Sequence, residues 1–241
     1  LQTFVDAPAG SGLGTSSTLV VAIIGAFAEM LKLPLGEYDI AHYAYQIERK
    51  YLNLAGGRQD QYAATFGGVN YMEFYEQDKV IVNPLRIKSE YLSELENNLV
   101  LFYTASSRES ATIIKEQQKN VELKKEGSID AMHQLKEQSR MMKEALLKGR
   151  LGEIGEILDF GFQQKRKMAA NISNHFIEEI YEAAKKAGAS GGKISGAGGG
   201  GFMICYCPGN TRYNVIETLR QFGGEVKQYT FTKNGLSSWA V

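Results

Sequence analysis

The sequence offers little to cross-link the chain, and little net charge. Only two of its 241 residues are cysteine, Cys205 and Cys207, two apart in "FMICYC". Side chains two apart on a strand share a face but sit too close along the chain for an ordinary disulfide. They read as small core residues in a reducing compartment. The three histidines, His42, His133 and His175, are far apart, so the sequence offers no metal cluster of the His/Cys kind. Lys plus Arg and Asp plus Glu each total 27, a net charge of zero. That argues against a nucleic-acid partner, which a basic excess usually serves. No apolar run reaches the roughly 18 residues of a membrane span, and no signal peptide is visible. Finally, no lysine occurs between Ala7 and Met30, an absence that bears on the loop read below.

What remains is ordinary for a globular chain: 44% apolar and 22% charged residues, enough for a sizeable core. Glycine, at 26 residues, is concentrated in a few loops. The order of elements reads as α+β. "LQTFV" reads as a strand feeding a glycine loop. Ser17 to Leu33 is too long and apolar for a strand and reads as a buried helix. "EYDIAHYAYQIERKYLNL" places Ile40, Ala44, Ile47 and Tyr51 at helical spacing. A loop and short helix follow in "AGGRQDQYAATFGG". A hairpin should turn near Gln77 and Asp78. The polar stretch from Ser89 to Asn98 marks a domain boundary, giving domains 1–95 and 96–241. After the strand "NLVLFYT", helices are expected over Glu109–Lys125, Ser128–Lys148, Leu151–Ala170 and His175–Ala187. Strand, glycine loop and strand in "GGKISGAGGGGFMICYC", then a helix and a last strand in "EVKQYTFT", complete an antiparallel layer.

The loop "DAPAGSGLGTSST" carries glycines at positions 10, 12 and 14 ahead of four hydroxyl residues. A Walker A loop needs a lysine that is missing, and a dinucleotide fingerprint needs glycine where Thr15 stands. The physical logic of an anion site survives both failures. A helix that starts after a glycine turn exposes unpaired N–H groups and partial positive charge. The glycines let an anion approach the backbone, and one N-cap would need only one hydroxyl. A second glycine loop, "GGKISGAGGGG", has more glycine than a hairpin requires, which points to close approach of a ligand. Between the two lie Glu48 in "QIERKY" and Asp60 in "GGRQDQY". Taken alone, Glu48 would be a surface helix residue and Asp60 an N-cap. Phosphoryl transfer gives both a use, since magnesium takes hydroxyl and carboxylate oxygens and an attacking hydroxyl needs a carboxylate.

Three segments in this order resemble one family, the GHMP small-molecule kinases: "PAGSGLGTSS" their phosphate loop, "AYQIER" with "GGRQDQ" their glutamate and aspartate region, and "KISGAGGGGFMI" their C-terminal glycine motif. Thr15 stands where the family usually has serine. The resemblance implies a two-domain α+β fold, a ribosomal-protein-like N-terminal part, shortened here, and a ferredoxin-like C-terminal α+β domain. It implies ATP and Mg2+, with phosphates held by Gly10, Ser11, Gly12, Leu13, Gly14, Thr15, Ser16 and Ser17, metal by Ser16 and Glu48, and the acceptor hydroxyl addressed by Asp60. It puts Arg58, Gln61, Arg108, Lys193, Gly196, Gly198 and Gly199 near substrate or phosphate. The stretch "GGRQDQYAA" is most similar to the members that phosphorylate an anomeric hydroxyl. The implied acceptor is D-glycero-D-manno-heptose 7-phosphate, with L-fucose or galactose as alternatives, and a non-catalytic sugar or nucleotide sensor as the competing class. The resemblance also implies a further segment ahead of Leu1, carrying much of the sugar and adenine pocket. It implies a small-molecule substrate, no nucleic acid or membrane, a cytoplasmic setting, and allows a homodimer.

Overall fold

The computed structural model describes residues 1–8, 10–106 and 110–240, and these fall into two compact units. The first comprises 1–8, 14–85 and 231–240; the second comprises 10–13 and 86–230, including helix 110–122.

The first unit opens with the extended residues Leu1–Val5, which are exposed and form no strand. The expected strand fails because no other strand among the described residues pairs with it. Helix α1 (Thr15–Met30) buries Ser17, Val21, Gly25 and Ala28. It is therefore not the wholly buried helix its composition suggests, since Phe27, Met30 and the following Leu31 and Leu33 are exposed. Helix α2 (Glu37–Gln46) runs into a single π turn, Ile47–Tyr51. Ile40 and Ala44 are buried as helical spacing predicts, yet Tyr51 is 80% exposed and Glu48 only 1%. The wider π turn carries the inward face onto Glu48. Helix α3 (Gln59–Phe66) ends at Gly67. Strands β1 (Asn70–Phe74) and β2 (Val80–Pro84) form the expected hairpin, Phe74 opposite Val80. Its turn residues Gln77 and Asp78 both have positive φ, 56° and 59°, as a type I′ turn requires. Val80 and Val82 pack on Ala41 and Tyr62, and Val21, Ile40 and Ala44 form a second small cluster with Leu236 beside it. The returning C-terminal segment is tied down by Leu236 N donating to Thr65 O at 3.0 Å.

In the second unit, the polar stretch read as a boundary is helix α4 (Ser89–Asn98), followed by β3 (Leu99–Tyr103). Helices α5 (Ser110–Glu122), α6 (Glu126–Lys148), α7 (Ile154–Arg166) and α8 (His175–Lys186) follow, close to their expected spans. Helix α8 has a side-chain cap, Asn174 Oδ1 accepting from Ile177 N at 3.0 Å, worth about 1 kcal/mol. Strands β4 (Gly191–Ile194) and β5 (Phe202–Tyr206), helix α9 (Arg212–Arg220) and a short β6 (Glu225–Lys227) complete the unit. The sheet is antiparallel throughout, in the order β4-β5-β3-β6. One face, Val100, Phe102, Ile194, Met203 and Cys205, packs on Ile177, Ile180 and Ala184 of α8 and Val215 and Leu219 of α9. The pleat sends alternate residues to the other face, where Lys193 lies beside Ile204 and Ile204 beside Leu101. Cys205 and Cys207 are free and buried, and burial pushes the Cys207 thiol up to about 12. Neither is available as a thiolate nucleophile.

Candidate active site

Helix α1 begins where Gly14 takes up a left-handed conformation, φ 72°. No side chain caps it, which leaves the helix N-terminus without the usual Ser, Thr, Asp or Asn oxygen on its first turn. Gly14 is also where Asp60 approaches: a Cβ there would stand 3.1 Å from Asp60 Cβ and Cγ. Only glycine allows both the backbone angle and that approach. Asp60 is half-buried in the first turn of α3, and the N-cap position belongs to Arg58 rather than to Asp60.

Beneath the start of α1 lies a buried polar knot. Ser16 Oγ donates to Glu48 Oε1 at 2.8 Å across 32 residues of chain, and Ser17 Oγ donates to Glu48 Oε2 at 2.6 Å. Gln61 Nε2 donates to Glu48 Oε2 and to Ser17 Oγ. Glu48 is thus no surface helix residue. Its hydrogen-bond donors are all neutral, and the one cation paired with it among the described residues, the Arg49 guanidinium, stands at 4.0 Å. Hydrogen bonds make such a buried carboxylate tolerable without cancelling its charge. Gln61, expected near substrate, is wholly buried, and its Oε1 has no partner. A carboxylate, a hydroxyl and an unpartnered amide oxygen are hard oxygen donors of the kind magnesium takes. Among the described residues no group of three or more His, Cys, Asp or Glu could hold a metal ion. Ser16 and Glu48 therefore fit a cation that brings other oxygen ligands with it, as a nucleotide's phosphates would supply.

Arg58 points elsewhere. Its guanidinium pairs with Asp78 of the hairpin turn and lies 4.9 Å over the Tyr45 ring. Its Nη1 is buried and unpartnered.

In the second unit the two glycine motifs, remote in sequence, are packed together. Ser195 Oγ donates to Gly12 O at 2.9 Å, and Phe202 N donates to Ser11 O at 3.1 Å. Gly201, φ 86°, has no room for a side chain, since a Cβ would stand 2.4 Å from Ser11 O. The loop is anchored from behind by Gly199 N to Ile172 O at 2.8 Å and by Thr104, whose N and Oγ1 both donate to Gly201 O at 2.9 Å. Gly196 and Gly198 lie in the same loop, both with positive φ. Lys193 is half-buried, its ammonium makes no hydrogen bond or ion pair to any described residue, and burial holds that ammonium below the usual lysine range. Arg108 lies outside the described residues. The chain passes from one unit to the other at the Leu13–Gly14 bond, so the first glycine loop is divided between them. Sequence reasoning missed the π turn, the inward-facing Ser17 and the Ser195 hydroxyl. The π turn left no signal, because its extra residue shows only when the helix is laid out.

Comparison with known proteins decides the family. The GHMP kinases N terminal domain model matches residues 1–68, and the GHMP kinases C terminal model matches 142–225. A Campylobacter jejuni D-glycero-alpha-D-manno-heptose 7-phosphate kinase is 50% identical over all 241 residues. The chain is a GHMP kinase.

This GHMP kinase spans 70% of the length of that relative. The solved structure of a Bacteroides thetaiotaomicron D-glycero-D-manno-heptose 1-phosphate kinase is 41% identical with a TM-score of 0.80, over 99% of this chain and 66% of that one. L. major mevalonate kinase, in complex with R-mevalonate, shares the fold at 22% identity, TM-score 0.71, over 94% of this chain and 68% of that one. The expected α+β kinase fold is borne out. No helix among the described residues is long and apolar enough to cross a membrane.

Proposed function

We propose that this kinase transfers the γ-phosphoryl group of ATP to the anomeric hydroxyl of D-glycero-D-manno-heptose 7-phosphate. The product is the 1,7-bisphosphate, a precursor for nucleotide-activated heptose and surface glycans. The half-identity to the heptose 7-phosphate kinase supports the acceptor. The geometric observation that carries the chemistry is the Ser16–Glu48 pair at the start of α1, which no side chain caps, with Asp60 packed on Gly14. Asp60 orients or deprotonates the anomeric hydroxyl. The new bond joins that oxygen to Pγ, the Pγ–O bond to the β-phosphate breaks, ADP leaves, and the proton passes to Asp60 or water. Amides and hydroxyls from Gly10 to Ser17 hold the phosphates. Ser16 and Glu48 would hold Mg2+, which when bound neutralises phosphate charge. Lys193, Gly196, Gly198 and Gly199 serve the phosphate side of the site, and Gln61 supports it by fixing Glu48. Catalysis is chiefly positioning and electrostatics.

Residues 1–95 then form part of the phosphate-binding N-terminal domain and 96–241 the C-terminal domain of a cytoplasmic enzyme. The test is ADP release by the full natural protein with heptose 7-phosphate, galactose, L-fucose and mevalonate in parallel. Turnover should be highest with heptose 7-phosphate by at least tenfold. Preference for another acceptor overturns the substrate. ATP binding without ADP release on any acceptor overturns the enzyme in favour of a sensor.

A further inference from the structure

The second glycine loop is held by side chains that belong to neither glycine motif. Lys165, in the last turn of α7, donates its ammonium to the carbonyl of Gly196. Gln117 of α5 donates Nε2 to the next carbonyl, Ala197 O, at 3.3 Å. Ala197 itself packs beside the buried cluster of Ile113, Met168 and Ile172. A trans peptide points its C=O and the following N–H in opposite directions. Drawing Gly196 O toward α7 therefore turns the Ala197 N–H away from that helix. That amide makes no hydrogen bond to any described residue, although the loop is tightly anchored on both sides of it. Ser195, just before, is bonded to the first glycine loop through Gly12 O.

We propose that Lys165 is a positioning residue for phosphoryl transfer, acting through the Gly196 carbonyl to present the Ala197 N–H as a donor to the γ-phosphoryl group. A cation on a carbonyl also polarises the peptide, which strengthens the N–H at its other end. The inference rests on the ATP-dependent reading above but not on the identity of the acceptor.

The experiment compares the full-length wild-type protein with Lys165→Met, Lys165→Arg and Lys167→Met. Lys167 is the control: it is exposed, directly follows α7, and among the described residues its ammonium bonds only Gln164 of that helix. Two readouts are used, kcat and KM with the best acceptor, and affinity for ADP against ADP with beryllium fluoride, a γ-phosphoryl mimic that needs no acceptor. Lys165→Met should lower kcat at least tenfold with KM for the acceptor within twofold. It should weaken the beryllium fluoride complex several-fold while ADP binds as before. Lys165→Arg should recover most of both, and Lys167→Met should match wild type. A Lys165→Met protein with wild-type kcat, or one that binds ADP and its beryllium fluoride complex with equal loss, overturns the proposal. If the wild-type protein turns over none of the acceptors, the function proposed above falls, while the beryllium fluoride comparison still decides the role of Lys165.

Discussion

The two units present their candidate residues in opposite ways. The first supplies side chains: Ser16, Ser17, Glu48, Gln61 and Asp60 crowd the start of α1 through hydroxyl, carboxylate and amide groups. The second supplies backbone: Gly12 meets Ser195 and Gly196, and Gly201 meets Ser11, at distances that exclude a Cβ, and Ser195 and Phe202 fasten the motifs together. Their cores differ in the same sense. The second unit packs a sheet on α8 and α9 around one large cluster, with a smaller one around Ile113, Met168 and Ile172, whereas among the described residues of the first the clusters are small and α1 carries much exposed apolar surface. A scaffold made of backbone contacts needs rigid support behind it. A set of charged side chains needs only local hydrogen bonds to fix its geometry.

That contrast predicts which unit answers to chemical change and which to steric change. Asp60→Ala should have the largest effect, lowering kcat by roughly 10³-fold or more while ATP binding by calorimetry persists. Turnover near wild type would end the assignment. Glu48→Gln keeps the shape of the buried knot and removes its charge. We expect kcat to fall by about 10²-fold, with a higher magnesium concentration needed for half-maximal rate and an unchanged melting temperature. An unaltered magnesium response would make Glu48 merely structural. Gly201→Ala tests the other unit, where a methyl group meets Ser11 O at a strained φ. It should cost about 2 kcal/mol of stability, visible as a lower denaturant midpoint. A variant as stable as wild type would break the comparison.

Lys193→Met should have the smallest effect and the opposite sign. Burial depresses the lysine pKa in the folded state from its ordinary value of 10.5. The unfolded chain therefore holds that proton more tightly, and stability rises with pH through the window that ends near 10.5. Each unit of depression costs about 1.4 kcal/mol at neutral pH. The methionine variant should melt slightly higher at pH 7 and lose that part of the alkaline gain, while binding phosphorylated substrate less well. A lower melting point at pH 7 would mean that the ammonium has a stabilising partner.

Much of the fold was legible in advance because it follows from local pattern. The hairpin at Gln77–Asp78, the helices from α5 to α8 and the strand–loop–strand of the second glycine motif all follow from periodicity and turn residues. The pattern misled where neighbours decide the outcome. Leu1–Val5 has strand composition but pairs with no strand among the described residues, and α1 has the composition of a buried helix but only one covered face. The polar run Ser89–Asn98, read as a boundary, is itself helix α4 with Leu95 and Asn98 buried.

By itself the sequence determined which chemistry is available: two glycine loops without a Walker lysine, a run of hydroxyls, and the carboxylates Glu48 and Asp60 between them. Only the tertiary structure decided who meets whom. It turned Glu48 inward on a π turn to bind Ser16 and Ser17, committed Arg58 to Asp78, gave Lys193 no counterion among the described residues, and put Lys165 on the carbonyl of Gly196. The physical reason is one of range. Helix period, turn chemistry and glycine content act over a few residues and are written locally, whereas the pairing of groups 30 or more residues apart depends on how cores pack and where backbones come close enough to exclude a side chain.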